Sequence, residues 1–138
     1  MRSVLAQAGE APASRLRTRG RLLRLDPRLA DPRGWRLAEL VAAERHVSLK
    51  ALFQPDRGQA GIALARQLAM YLMHVEFGRL YADVGRFFHR DRTTVSHACA
   101  LIEDLRDDPE FDATLERLRL ALLDEATSER EAGDAAAQ

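Results

Sequence analysis

The segment HRDRTTVSHACALIEDL, residues 89–105, opens with a run of charged and hydroxyl side chains and closes as an amphipathic helix. Val95, Ala98, Leu101, Ile102 and Leu105 recur at helical spacing and predict one apolar face turned to a core. Arg90, Asp91, Arg92, Thr93 and Thr94 crowd the start of that helix. A helix start uses one capping side chain, here Asp91 or Thr93, to hold an otherwise unpaired N–H. Capping leaves most of the run unexplained, and the excess implies that this end of the helix faces a partner.

Immediately upstream, YADVGRFF (residues 81–88) predicts a short helix with Val84, Phe87 and Phe88 available to a core. Short helix, tight turn, second helix is the grammar of a helix-turn-helix at about 81–105. In that motif the second helix enters the DNA major groove with its N-terminal end toward the base edges. The side chains suit the task. Arginine can chelate guanine through O6 and N7, threonine offers a hydroxyl and a methyl, and aspartate accepts from cytosine N4. The helix N-terminus adds N–H groups and a positive dipole end for a phosphate.

The rest of the chain also reads as helices. Asp31-Pro32 gives a cap and a first-turn proline, and Trp35, Leu37, Leu40 and Val41 carry a helix to about 45. Ser48 caps a short helix over LKALF before the break at Pro55 and Gly58. A long helix is predicted over 60–76, with Leu64, Leu68, Tyr71, Leu72 and Val75 on one apolar face and Gly78 as its stop. Met70 and Met73 read as ordinary helix residues. Asp108-Pro109 repeats the cap-plus-proline start, and Phe111, Leu115, Leu118 and Leu122 take a last helix to about 127. No stretch alternates at period two, so the expected fold is all-α, with five to six helices around a central helix-turn-helix. The expected organisation is a basic, mobile arm over 1–30, a folded domain over 31–127 and a disordered tail over 128–138.

Net charge is zero, but it hides a gradient. Residues 1–36 hold nine arginines against three acids, and residues 103–138 hold four arginines against twelve acids. The basic side suits an acidic polymer, and the acidic end would be repelled by one. Two readings of the arm stand side by side, a phosphate-binding arm and a solvated tail. A single cysteine, Cys99, excludes an internal disulfide and a cysteine-rich zinc site; it reads as a small core residue and fits a reducing cytoplasm. No apolar run approaches the roughly 20 residues that cross a bilayer, so no membrane partner is expected. No G-x-x-x-x-G-K phosphate loop occurs, so no nucleotide is expected. His89, His97 and Cys99 lack the spacing of a metal motif. The acids Asp107, Asp108, Glu110 and Asp112 suit a helix start without a cation. No catalytic constellation stands out, so neither enzyme activity nor a cofactor is expected.

Three motifs together carry a family resemblance. RDRTTVSHACALIEDL resembles the recognition-helix signature R-D-H-T-T-V-x-H-A of the DNA-binding C-terminal domain, domain IV, of the bacterial replication initiator DnaA. ARQLAMYL, residues 65–72, resembles the family's A/P-R-Q-x-A-M-Y-L, and LYADVGRFF between them resembles L-P-E-I-G-x-x-F. Residues 37–123 match in order and approximate spacing. The resemblance implies that Arg66 reaches into the minor groove, although its own place in the helix predicts only a solvent-facing side chain. It implies that Asp91, Arg92 and Thr93 read base edges and that Thr94 holds a phosphate or the helix start. Arg90, Ser96 and His97 complete the expected DNA-binding set, His97 against backbone or phosphate.

The departures from the family are specific. Arg92 stands where the family has His, and Ser96 stands where it commonly has an apolar residue. The turn FHRD is one residue shorter than F-G-G-R-D. QPDRGQAGIALARQ is nearly neutral where the family is basic, which implies fewer phosphate contacts and a shallower salt dependence. The resulting expectation is a stand-alone, bacterial, cytoplasmic (nucleoid) protein that binds double-stranded DNA by sequence. It would regulate transcription or modulate replication initiation, with the replication or transcription machinery as a further candidate partner. The alternative is a protein-interaction module that kept the fold and lost strong DNA affinity.

Overall fold

Two aspartate–proline pairs start the described chain. In the computed structural model, which describes residues 26–55 and 59–137 with side chains to residue 133, Asp26 accepts from the Arg28 N–H at 3.2 Å and caps α1 (Pro27–Ala30). Asp31 accepts from the Gly34 N–H at 3.0 Å and caps α2 (Pro32–Arg45). Ser48 Oγ accepts from the Ala51 N–H at 3.1 Å at the start of α3 (Leu49–Leu52). There follow α4 (Ala60–Phe77), α5 (Tyr81–Phe88), α6 (Arg92–Leu105) and α7 (Pro109–Ala137). No strand occurs among the described residues, and the fold is all-α.

The stops are as physical as the starts. Gly78 closes α4 in the left-handed region at φ 67°. The Gly78 N–H then reaches His74 O at 3.1 Å, the single bond of the αL motif, and the Arg79 N–H reaches Met73 O at 3.2 Å. Two histidines do a similar job without glycine's freedom: His46 at φ 57° ends α2 and His89 at φ 59° ends α5.

α4 is the axis of the core and packs against α2, α5 and α6. Ala65, Leu68, Ala69, Met70, Tyr71, Leu72 and Met73 are all buried, so the helix is enclosed on several sides rather than along one stripe. Leu37 and Val41 from α2, Val84, Phe87 and Phe88 from α5, Val95 and Ile102 from α6, and Leu115, Leu118 and Leu122 from α7 close around it. An aromatic stack ties α2 to α5 through Phe53: Trp35–Phe53 ring centroids lie 5.5 Å apart and Phe53–Phe88 5.2 Å. Asp31 also receives both Nε and Nη2 of Arg79, at 2.9 and 3.0 Å, which locks the start of α2 to the α4–α5 connection.

The structure departs from the sequence reading at several points. Val75 (46% exposed) and Leu101 (39%) face solvent instead of the core, because their helices roll their buried arcs away from them. Met70 and Met73 are core residues. A short helix, α1, precedes Asp31, where the sequence reading places the first one. α7 does not stop near 127 but runs to Ala137; glutamate, arginine and alanine there are strong helix formers and no proline interrupts them. The expected arm lies, over residues 1–25, outside the described residues.

Candidate nucleic-acid interface

The turn between α5 and α6 is tight because residue 85 is glycine. The Arg90 N–H donates to Gly85 O at 2.7 Å, and a Cβ on Gly85 would overlap the Arg90 carbonyl oxygen and press on the Asp91 backbone. The pair of helices is thus set at a distance that only the absence of a side chain allows. His89, left-handed, completes the reversal.

α6 then starts at Asp91, whose backbone is extended at φ −69°, ψ 153°. The Val95 N–H donates to Asp91 O at 3.2 Å, but the Asp91 carboxylate makes no capping hydrogen bond. This removes the bland explanation of the residue: its side chain is not used to start the helix. Asp91, Arg92, Thr93 and Thr94 are exposed, and the next residue, Val95, is fully buried. Ala98, Cys99 and Ile102 continue the buried side, while His97 is exposed and Ser96 half-buried. Among the described residues, no hydrogen bond, ion pair or ring contact engages the side chains of Asp91, Arg92, Thr93, Thr94, Ser96 or His97. The first turn of α6 therefore offers donors and acceptors outward on a firmly anchored helix.

Two arginines of the expected set are placed differently. Arg66 is not on a solvent face; it is 4% exposed. Its Nε donates to Leu52 O at 2.8 Å and its Nη2 to Ala51 O at 3.1 Å, at the end of α3. That corrects the reading from helix position, which set Arg66 on a solvent face. Arg90 is half-buried; its Nη1 donates to Phe88 O and its Nη2 to Gln54 O, both at 2.9 Å. Even so, the two sequence patches share one side of the molecule. Arg66, Arg90, Thr94 and His97 line a common groove between α4 and α6. Gln67 and Leu101 line it as well. Gln67 was not singled out from the sequence, although its place beside Arg66 was a signal for it.

Behind the outward turn, α6 is tied down. Tyr71 of α4 donates its hydroxyl to Glu103 at 2.5 Å, and Arg106 donates to that hydroxyl at 3.1 Å and to Asp112 of α7 at 2.7 Å. Burial first, and the Glu103 hydrogen bond second, push the Tyr71 hydroxyl above its ordinary pKa, so it stays a donor at neutral pH. Burial pushes the Cys99 thiol up to about 11, which keeps it a protonated packing group.

This arrangement can be set beside known proteins. Residues 36–102 match the family model described as the bacterial dnaA protein helix-turn-helix. Over that segment the chain is similar to the DnaA helix-turn-helix. The chromosomal replication initiator protein DnaA of Thermomicrobium roseum is 39% identical over 88 residues, 62% of this chain and 19% of that protein. The DnaA of Mesorhizobium japonicum is 38% identical over 104 residues, 72% of this chain and 21% of that protein. The DnaA of Deinococcus radiodurans is 41% identical over 59 residues, 42% of this chain and 13% of that protein. The chain thus spans about a fifth or less of the length of these DnaA relatives. Among the described residues no helix is long and apolar enough to cross a membrane.

Proposed function

We propose that this DnaA-type domain binds double-stranded DNA by sequence, with α6 in the major groove. In this reading Asp91, Arg92 and Thr93 meet base edges, Thr94 meets a phosphate or the helix start, and Ser96 and His97 flank them. The observation that carries it is the outward turn of α6: four consecutive polar side chains, none engaged within the described fold, on a helix whose next residue is fully buried. Such an arc has no structural task, and its chemistry is that of base recognition. The relatives are named replication initiators, and the proposal extends to occupancy of initiator-type sites, with modulation of replication initiation or of transcription as the consequence.

The second reading, a protein-interaction module, draws on a different observation. The C-terminal segment 103–138 carries twelve acids against four arginines, and α7 exposes Leu120 and Leu123. Fluorescence anisotropy of a labelled duplex carrying the initiator's box sequence separates the two. The DNA reading expects saturable binding that a scrambled duplex competes poorly. Equal competition by box and scrambled duplex, or no binding at low salt, would leave the interaction module standing.

A further inference from the structure

We infer that Arg66 and Arg90 are positioning residues that set how α6 is presented, by holding the 51–54 segment, and that Arg66 does not itself touch DNA. The inference rests on the DNA reading above. At the end of the four-residue α3 the Phe53 and Gln54 N–H groups donate to Lys50 O and Ala51 O at 3.1 and 3.3 Å, and among the described residues no backbone donor reaches Leu52 O. Leu52 is fully buried, and its carbonyl oxygen has little access to water. Arg66 supplies a donor there, Nε to Leu52 O at 2.8 Å, and adds a second one to Ala51 O, from Nη2 at 3.1 Å. A planar guanidinium can address two neighbouring carbonyls at once, whereas a lysine ammonium is a single point of charge.

Arg90 makes the second half of the clamp. Its two terminal nitrogens join Phe88 O, at the end of α5, to Gln54 O, just past α3, each at 2.9 Å. Arg90 is also the residue immediately before Asp91, from which α6 starts. The end of α3, the end of α5 and the start of α6 are therefore fixed to one another through two guanidinium groups. A recognition surface tolerates only about 0.5 Å of displacement before its contacts fail. A clamp at this point acts on sequence preference without a DNA contact of its own.

The test uses the full chain and three variants, Arg66→Lys, Arg66→Gln and Arg90→Lys, at a temperature where circular dichroism shows each folded. The probes are a duplex enriched by the wild-type chain from a randomised pool and a scrambled duplex of equal length. Each variant is expected to lose at least about tenfold in the preference for the enriched duplex. Arg66→Gln is expected to keep the wild-type slope of log K against log salt, because no phosphate contact is lost; a contact would be worth about 0.9 in slope. Without DNA, amide exchange at Phe53, Gln54 and residues 90–95 is expected to accelerate at least about tenfold, with α2 unchanged. A slope reduced by about 0.9 in Arg66→Gln would make Arg66 a phosphate contact and overturn the inference. Unchanged preference together with unchanged exchange in the folded variants would overturn it too. If Arg66→Gln does not fold, Arg66→Lys decides by preference and exchange. If the wild type enriches no sequence, the DNA reading fails, and the exchange measurement still decides the clamp.

Discussion

Arg92 and Thr93, which the proposed reading sets against base edges, are exposed within the first turn of α6 and engaged by nothing else in the described fold. Arg92→Ala and Thr93→Ala are each expected to cost about 1–3 kcal/mol of discrimination between preferred and scrambled duplex, with the melting temperature nearly unchanged. Anisotropy competition on both duplexes checks this; wild-type preference in both variants would take base reading away from this turn. The turn behind them has the opposite sensitivity. A methyl group on Gly85 would collide with backbone rather than with a side chain that can move. Gly85→Ala is therefore expected to destabilise the chain by about 2 kcal/mol in urea unfolding, against a helix-propensity gain of under about 1 kcal/mol. His89 holds a left-handed backbone that costs a residue with a side chain about 1–2 kcal/mol. His89→Gly is expected to raise stability by about 0.5–1 kcal/mol once glycine's extra unfolded-state entropy is subtracted. A lower urea midpoint in that variant would mean that the imidazole contributes more than its backbone costs.

At the scale of elements, caps were the readable part. Asp31-Pro32, Ser48 and Gly78 mark the bounds of α2, α3 and α4 in sequence because each satisfies a local hydrogen bond within a few residues. The outward arc of α6 could be read for the same kind of reason, as the complement of a periodic buried face. What could not be read depends on distant neighbours. Arg66 finds its acceptors 14 and 15 residues earlier in the chain, so only the packing of α3 on α4 reveals them. Val75 and Leu101 fit the helical period, yet periodicity does not say where the buried arc ends. α1 has the same aspartate–proline start as α2 but is too short for any period to show. The Asp31–Arg79 pair is likewise a long-range feature, and it carries an expectation about pH. Burial raises the Asp31 carboxyl, but the Arg79 hydrogen bond, the Gly34 N–H and the charges of Arg79 and Arg33 outweigh it and leave its pKa below the ordinary 3.8. A lowered folded-state pKa adds stability that is present above the unfolded value and is lost as pH falls through the folded one. Wild-type stability should therefore drop more steeply below about pH 4 than that of Asp31→Asn, which keeps a capping oxygen but has no charge to lose. Urea titrations from neutral pH to below pH 3 check it, and parallel curves for the two chains would assign the acid sensitivity elsewhere.

For the whole molecule the deciding quantity is the distribution of charge. Several arginines of the described fold are already committed to carboxylates: Arg36 to Glu125, Arg79 to Asp31, Arg86 to Asp83, Arg117 to Glu44 and Arg119 to Glu76. They hold α7 and α2 to the core or stabilise single helices, and a paired arginine neutralises a phosphate only by giving up its partner. The densest run of positive charge in the sequence lies in residues 1–25, with six arginines and one glutamate. Each phosphate they neutralise adds about 0.9 to the slope of log K against log salt. The informative deletion ends at Leu25. Cutting after residue 30 would also remove Asp26 and α1 and so confound affinity with folding. Deletion of residues 1–25 is expected to leave the melting temperature and the preference for the enriched duplex in place while lowering affinity for every duplex. The salt slope should fall by at least about 2, the effect of two or three lost phosphate contacts. Anisotropy titrations across a salt series, run on the full and the shortened chain, measure both quantities. An unchanged slope would confine the interface to α6 and its neighbours and make the N-terminal arginines a solvated tail.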